Sequence, residues 1–158
     1  MSKAHTASRT NDPHDLGRFL RSQEDCYDAA LSELKAGRKQ AHWMWYVFPQ
    51  FDGLGFSPTS KQYSIKSIEE AEAYLQHPTL GHRLIECTEV LLGLDGRSAH
   101  DIFGSPDDSK LRSCATLFAL VSPSESVFER LLEKYFHGQR DDRTLHLVRR
   151  PRNKSTDE

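Results

Sequence analysis

Apolar residues recur at three- and four-residue steps along most of the chain, the period of helices with one buried face. The first such run is Leu16, Phe19, Leu20, Tyr27, Ala30, Leu31 and Leu34, with Gln23 on the same stripe. Asp12-Pro13-His14-Asp15 precedes it and Gly37 follows it. A capping side chain, a proline at the first helical position and a glycine past the end predict a helix over 13–36. Ser67-Ile68-Glu69-Glu70 has the form of a capping box and opens a helix with Ala71, Tyr74 and Leu75 inward, stopped at His77-Pro78. Thr79 heads the next, with Leu80, Leu84, Thr88, Leu91 and Leu92 on one side and Gly93 at its end. Ser98-Ala99-His100-Asp101 opens a short helix ending at Gly104. Ser105-Pro106-Asp107-Asp108 opens another through about residue 119, and Ser122-Pro123-Ser124-Glu125 a last long one closed by Gly138. Residues 141–148 are expected to form a terminal turn or short helix.

Two stretches break this rhythm. His42-Trp43-Met44-Trp45-Tyr46-Val47-Phe48 is bulky throughout and cannot be amphipathic at the helical period. It reads as a short buried strand or as a buried turn of helix ended by Pro49. Asp52-Gly53-Leu54-Gly55 reads as a turn. Residues 56–66, rich in hydroxyls, read as a loop long enough to carry a site. No repeat is visible and strand signals are few. The expected fold is mainly α: a single compact domain of about six helices over 12–148, with little or no sheet, between flexible ends at 1–11 and 149–158.

Charge and composition narrow the function. There are 21 basic and 23 acidic side chains, for a net charge of -2. Arg149 to Glu158 is basic, so the preceding body carries a net -4. An acidic body matches a phosphate backbone poorly, and no nucleic-acid partner is expected. No stretch approaches the ~20 apolar residues of a membrane helix. Met1 to Asp12 has no apolar signal core, which points to a cytoplasmic protein without a membrane partner. Cys26, Cys87 and Cys114 are widely spaced, with no C-x-x-C pair, and read as reduced buried thiols. The histidines do not share helical faces, so no metal site is expected. Neither a phosphate-binding glycine loop nor a nucleophile elbow is present, and Gly53-Leu54-Gly55 lacks the third glycine of a dinucleotide fingerprint. No cofactor is implied.

Three places carry candidate chemistry. Trp43 and Trp45, flanked by His42, Tyr46 and Gln50, offer flat faces and polar handles for a planar ligand, or fill the core. On a helical wheel, Lys110, Ser113 and Thr116 lie opposite Leu111, Ala115 and Phe118. Leu117 among them suggests a partly covered polar stripe, suited to an anion or a carbonyl, or else a solvated face. Asp141-Asp142-Arg143-Thr144 places carboxylates beside a hydroxyl, which suits a general base or, equally, a cap on the following helix.

Taken together, these residues resemble the bacterial family of unknown function numbered eighteen-ten, over about 16–148. The resemblance is carried by Arg18-Phe19 with Gln23, His42-Trp43-Met44-Trp45, Phe48-Pro49-Gln50, Gly53-Leu54-Gly55, Tyr63-Ser64-Ile65 and Glu70-Ala71. It continues through Tyr74-Leu75, His77-Pro78, Leu80-Gly81, Arg83-Leu84, Phe103-Gly104, Asp107 with Lys110, Thr116-Leu117-Phe118, Gly138, Asp141 and Thr144-Leu145. The resemblance implies a compact, mainly helical domain. Two positions depart from it: Cys114-Ala115 stands where a Ser-Met pair is common, and Phe56 separates Gly55 from Ser57, where the serine usually comes sooner. Members often carry the label calpastatin. That inhibitor type is a long disordered repeat chain, and nothing in this sequence repeats. A fainter similarity, through the aromatic and Gln-bearing start, Leu80-Gly81-His82-Arg83 and the late Asp, is to the helical NAD- and ADP-ribose-associated family.

The functional expectation is a module that binds a small planar phosphorylated metabolite, such as a nucleotide or ADP-ribose derivative. Trp43 or Trp45 and Tyr63 would stack on the ring; Lys110 and Arg83 would meet anionic groups, with Ser113 and Thr116 beside Lys110; Gln50 and Ser57 would orient the ligand, and His42 is a further binding candidate. If it turns the ligand over, the reaction is hydrolysis of a glycosidic bond, with Asp141 or Asp142 positioning water. The alternative is a protein-interaction adaptor using the aromatic segment 42–50.

Overall fold

The computed structural model describes residues 12–150. The flexible ends expected at 1–11 and 149–158 lie outside the described residues, except for Arg149, which ends the last helix, and Arg150, which follows it. Among the described residues there are nine helices: α1 (Gly17–Lys35), α2 (Met44–Val47), α3 (Pro58–Gln62), α4 (Ile68–Gln76), α5 (Leu80–Gly93), α6 (Ala99–Phe103), α7 (Asp107–Leu120), α8 (Val127–Phe136) and α9 (Asp142–Arg149). The expected mainly helical domain is what forms, with short α2 and α3 and the terminal α9 raising the count from six to nine. Extended pairing among the described residues is confined to an isolated parallel bridge between Phe51 and Ile65.

Local chemistry sets the helix starts. Asp12 begins α1 later than expected: its Oδ1 accepts from Leu16 N at 2.7 Å and its Oδ2 from Gly17 N at 2.9 Å. Ser67, Ser98 and Asp141 each accept a backbone N–H three residues on, at α4, α6 and α9. Only α6 has the reciprocal box, Asp101 returning a bond to Ser98 N. Thr79 heads α5 without a side-chain bond; His77 Nδ1 accepts from Thr79 N and Leu80 N in its place. At the start of α8, Ser126 caps Glu129 N, so the helix begins past the expected Ser122.

Helix α7 is the central element, packed against α4, α6, α8 and α9, while α5 lies against α1, α4 and α8. Leu117 and Phe118 are fully buried, and the ring of Phe118 meets Tyr74 and Phe128 at centroid distances of 5.5 and 5.7 Å. The tight α4–α5 corner depends on Gly81, where a Cβ would lie 1.9 Å from Leu75 O. The segment 62–70, from the end of α3 to the first turn of α4, is tied to α1 by Arg18. Its guanidinium donates to the backbone oxygens of His14, Asp15, Gln62 and Ser64 and pairs with Glu70 Oε2 at 2.7 Å. With all these acceptors around it, a nearly buried charge is satisfied.

Candidate functional site

The aromatic segment folds as a single turn of helix, α2, stopped before Pro49. At 100° per residue, Trp43 and Trp45 point to different sides. Trp43 is fully buried; its Nε1 donates to Glu33 Oε1 at 2.8 Å. Trp45 is half-buried and lines a concavity of about 510 Å³ between the 50–60 segment, the start of α7 and the start of α9. That size lies within the range of small-ligand sites.

Lys110 on α7 faces Trp45, its Nζ 4.4 Å from the ring centroid. Asp107, one helical turn back, holds Lys110 Nζ at 3.2 Å and Lys39 Nζ at 2.8 Å. One carboxylate thus serves two ammonium groups and leaves that cluster with net positive charge. Gln50, Ser57, Ser113 and Asp141 complete the set of predicted residues on this wall. The structure therefore brings six of them together: Trp45, Gln50, Ser57, Lys110, Ser113 and Asp141.

Several of these groups also have structural work. Ser57 Oγ caps α3 by accepting from Ser60 N at 3.1 Å, and Ser113 Oγ donates to Ser109 O at 3.2 Å. Asp141 caps α9: its Oδ2 accepts from Thr144 N at 2.8 Å and from Thr144 Oγ1 at 2.6 Å. The capping reading of the Asp141–Thr144 cluster is thus realised. The close turn at the mouth requires Gly55, where a Cβ would lie 1.8 Å from Ser60 Oγ.

The other predicted residues lie elsewhere. Trp43 is a core side chain. Thr116 is fully buried, accepting from Asp141 N at 2.9 Å and donating to Arg112 O at 2.8 Å, so it joins α7 to α9. Tyr63 packs edge-on against Tyr46 and Phe19, at 4.8 and 5.9 Å. Arg83 lies over the Tyr27 ring at 4.7 Å and donates to Gln23 Oε1 at 3.2 Å, away from the concavity. Gln23 in turn donates to Tyr46 O and Tyr74 Oη, so this pair braces the core. His42 and Asp142 are exposed and do not line the concavity. With Trp43, Met44, Val47 and Phe48 buried, segment 42–50 presents little aromatic surface to a protein partner.

Sequence reasoning missed Arg112, Arg143, Ser60, Ser109 and Phe56, all on the same wall. Phe56, within the loop expected to carry a site but not itself named as a ligand contact, stands 78% exposed at the mouth, just before the short helix α3. Ser57-Pro58, a capping serine with proline at the first helical position, is the signal that announces that helix.

Other features offer less chemistry. A concavity of about 560 Å³ beside α8 is lined by Glu125, Glu129 and Glu133, and its Arg140 is already paired with Glu129 at 3.1 Å. No group of three or more His, Cys, Asp or Glu among the described residues is placed to hold a metal. Burial pushes the Cys87 thiol up to about 12 and that of Cys114 well above its ordinary value, so neither is a ready nucleophile. No helix among the described residues is long and apolar enough to cross a membrane.

Comparison with known proteins places the chain. The conserved hypothetical protein Rv1873 from Mycobacterium tuberculosis, known from a crystal structure, is 52% identical. The match has a TM-score of 0.85 and covers 87% of this chain and 98% of that one. No curated protein matches. The protein of unknown function family DUF1810 matches residues 13–148, and the chain belongs to that family.

Proposed function

We propose that this protein binds a small planar phosphorylated metabolite, a nucleotide or ADP-ribose derivative, in the concavity between Trp45 and Lys110. The observation that carries this reading is the convergence on one wall of an aromatic face, the cations Lys110, Arg112 and Arg143 against the carboxylate of Asp141, and several hydroxyls, with Lys110 4.4 Å from the Trp45 ring. Lys110 covers one face of Trp45. A ligand ring therefore uses the remaining surface of Trp45 and the exposed ring of Phe56, while its phosphates meet the cations. The acidic body favours a small anion over a nucleic acid, because binding a polyanion needs a broad basic face.

Hydrolysis of the ligand is a narrower reading and rests on Asp141. Its Oδ2 is occupied by Thr144, so Oδ1 is the atom that would position water. Asp142, outside the concavity, has no part in it.

The test is a thermal-unfolding screen against nucleotides, ADP-ribose and nicotinamide compounds. A ligand at ~100 times its Kd adds ~2.7 kcal/mol of stability. The reading predicts such a shift for at least one phosphorylated compound and its loss in Lys110→Ala. No shift with any compound, or one that survives Lys110→Ala, contradicts it.

A further inference from the structure

Arg112 is the one cation on the wall of the Trp45–Lys110 concavity with no polar partner among the described residues. Lys110 is held by Asp107, and Arg143 reaches Gly53 O at 3.5 Å. Among the described residues the Arg112 guanidinium makes no ion pair. Its Nε is sealed from solvent without an acceptor, and the contact it does make is with the ring of Phe136, 5.8 Å from Cζ. A guanidinium carries five N–H donors and does not lose its proton, so leaving it unpaired in a half-buried place costs stability. The sealed Nε is out of a ligand's reach, but Arg112 lines the concavity and its terminal nitrogens have no protein acceptor among the described residues, so they are the donors a ligand oxyanion would meet.

From this we infer that Arg112 anchors the oxyanion of a phosphate ester, with Arg143 as a second guanidinium on the same wall. The inference rests on the proposed ligand site and adds to it the group that grips the phosphate. A phosphate matches the edge of a guanidinium with two parallel N–H···O bonds, which a point-charge ammonium cannot reproduce. Lys110, which shares Asp107 with Lys39, is less suited because its ammonium lacks the planar fork. Asp141, the carboxylate on the wall, is turned to Thr144 by two hydrogen bonds and so competes little for Arg112. Under this assignment Lys110 and Trp45 set the ring end of the site, and Arg112 and Arg143 the phosphate end.

The experiment titrates the full chain calorimetrically with adenosine diphosphate, pyrophosphate and adenosine, and records thermal unfolding without ligand. Arg112→Gln is expected to weaken adenosine diphosphate and pyrophosphate by about 10- to 100-fold, the loss of a charge-assisted pair. It should leave the ligand-free unfolding temperature unchanged or raised, since an unpaired charge has been removed. A purely structural arginine would instead lower that temperature and leave affinity alone. Arg112→Lys keeps the charge without the fork and should fall between; if the Gln variant does not fold, an unchanged affinity in the Lys variant overturns the assignment. Wild-type affinity in Arg112→Gln overturns the role of Arg112 and leaves the site reading standing. An unmodified chain that binds neither phosphate compound overturns both.

Discussion

Lys110 is fixed between two groups: its Nζ lies 4.4 Å from the centre of the Trp45 ring and 3.2 Å from Asp107 Oδ1. Because Asp107 also holds Lys39 at 2.8 Å, the lysine is oriented without being fully neutralised. Lys110→Ala should therefore cost little stability, ~1 kcal/mol or less, because the pair is partly exposed and Asp107 keeps Lys39. Denaturant unfolding measures that cost, and ligand titration should show the larger loss.

The two tryptophans are expected to separate under substitution. Trp43→Ala removes a fully buried indole and one of the hydrogen bonds that Glu33 accepts, and should cost about 3–5 kcal/mol. Trp45→Ala trims a half-buried ring and should cost about 1 kcal/mol. Urea midpoints of the two variants check the ordering. Equal losses would mean that Trp45 belongs to the core as much as Trp43 does.

Removing one partner of the Arg18–Glu70 pair should be severe. The side chains are 8% and 3% exposed, so Glu70→Gln leaves a buried guanidinium without its counter-charge. The expected loss is about 3–5 kcal/mol. Equilibrium unfolding reads it, and the double variant Arg18→Met/Glu70→Met should recover part of the loss.

Acid should weaken the corner where α1 meets α2. Burial alone would raise the Glu33 carboxyl. The hydrogen bonds it accepts from Gln40 N, Ala41 N and Trp43 Nε1, with Lys39 nearby, outweigh that and hold it below the usual glutamate range. A lowered folded-state value means the contribution is present above the ordinary glutamate pKa and is lost as pH falls through the folded one. Stability measured from pH 6 to pH 3 should decline less steeply in Glu33→Gln than in the unmodified protein.

Helix starts were legible where a side chain acts on its own neighbours. Ser67, Ser98 and Asp141 each cap the backbone N–H three residues on, and that rule needs no tertiary information. The start of α8 was less legible because Ser122 and Ser126 both head cap-like runs, and only Ser126 engages the helix. At the site, the wheel placed Lys110 and Ser113 on one stripe, and the wall of the concavity includes both. Thr116 shares that stripe, yet the approach of α9 covers it, a contact between residues 25 apart in sequence. Arg112 escaped notice for a related reason. It falls some 200° from Lys110 on the wheel, and the setting that makes it distinctive is completed by Phe136 on another helix. Arg18, Gln23 and Gly81, which carry much of the family resemblance, prove to hold the fold together and not to line the concavity.

The most direct test uses Trp45 as its own reporter. In Trp43→Phe, Trp45 is the chain's remaining tryptophan, and its ring lines the concavity. Titration with adenosine diphosphate should change its emission saturably, and Lys110→Ala in the same background should abolish the change. Emission that stays constant through the titration would contradict a ligand seated between Trp45 and Lys110.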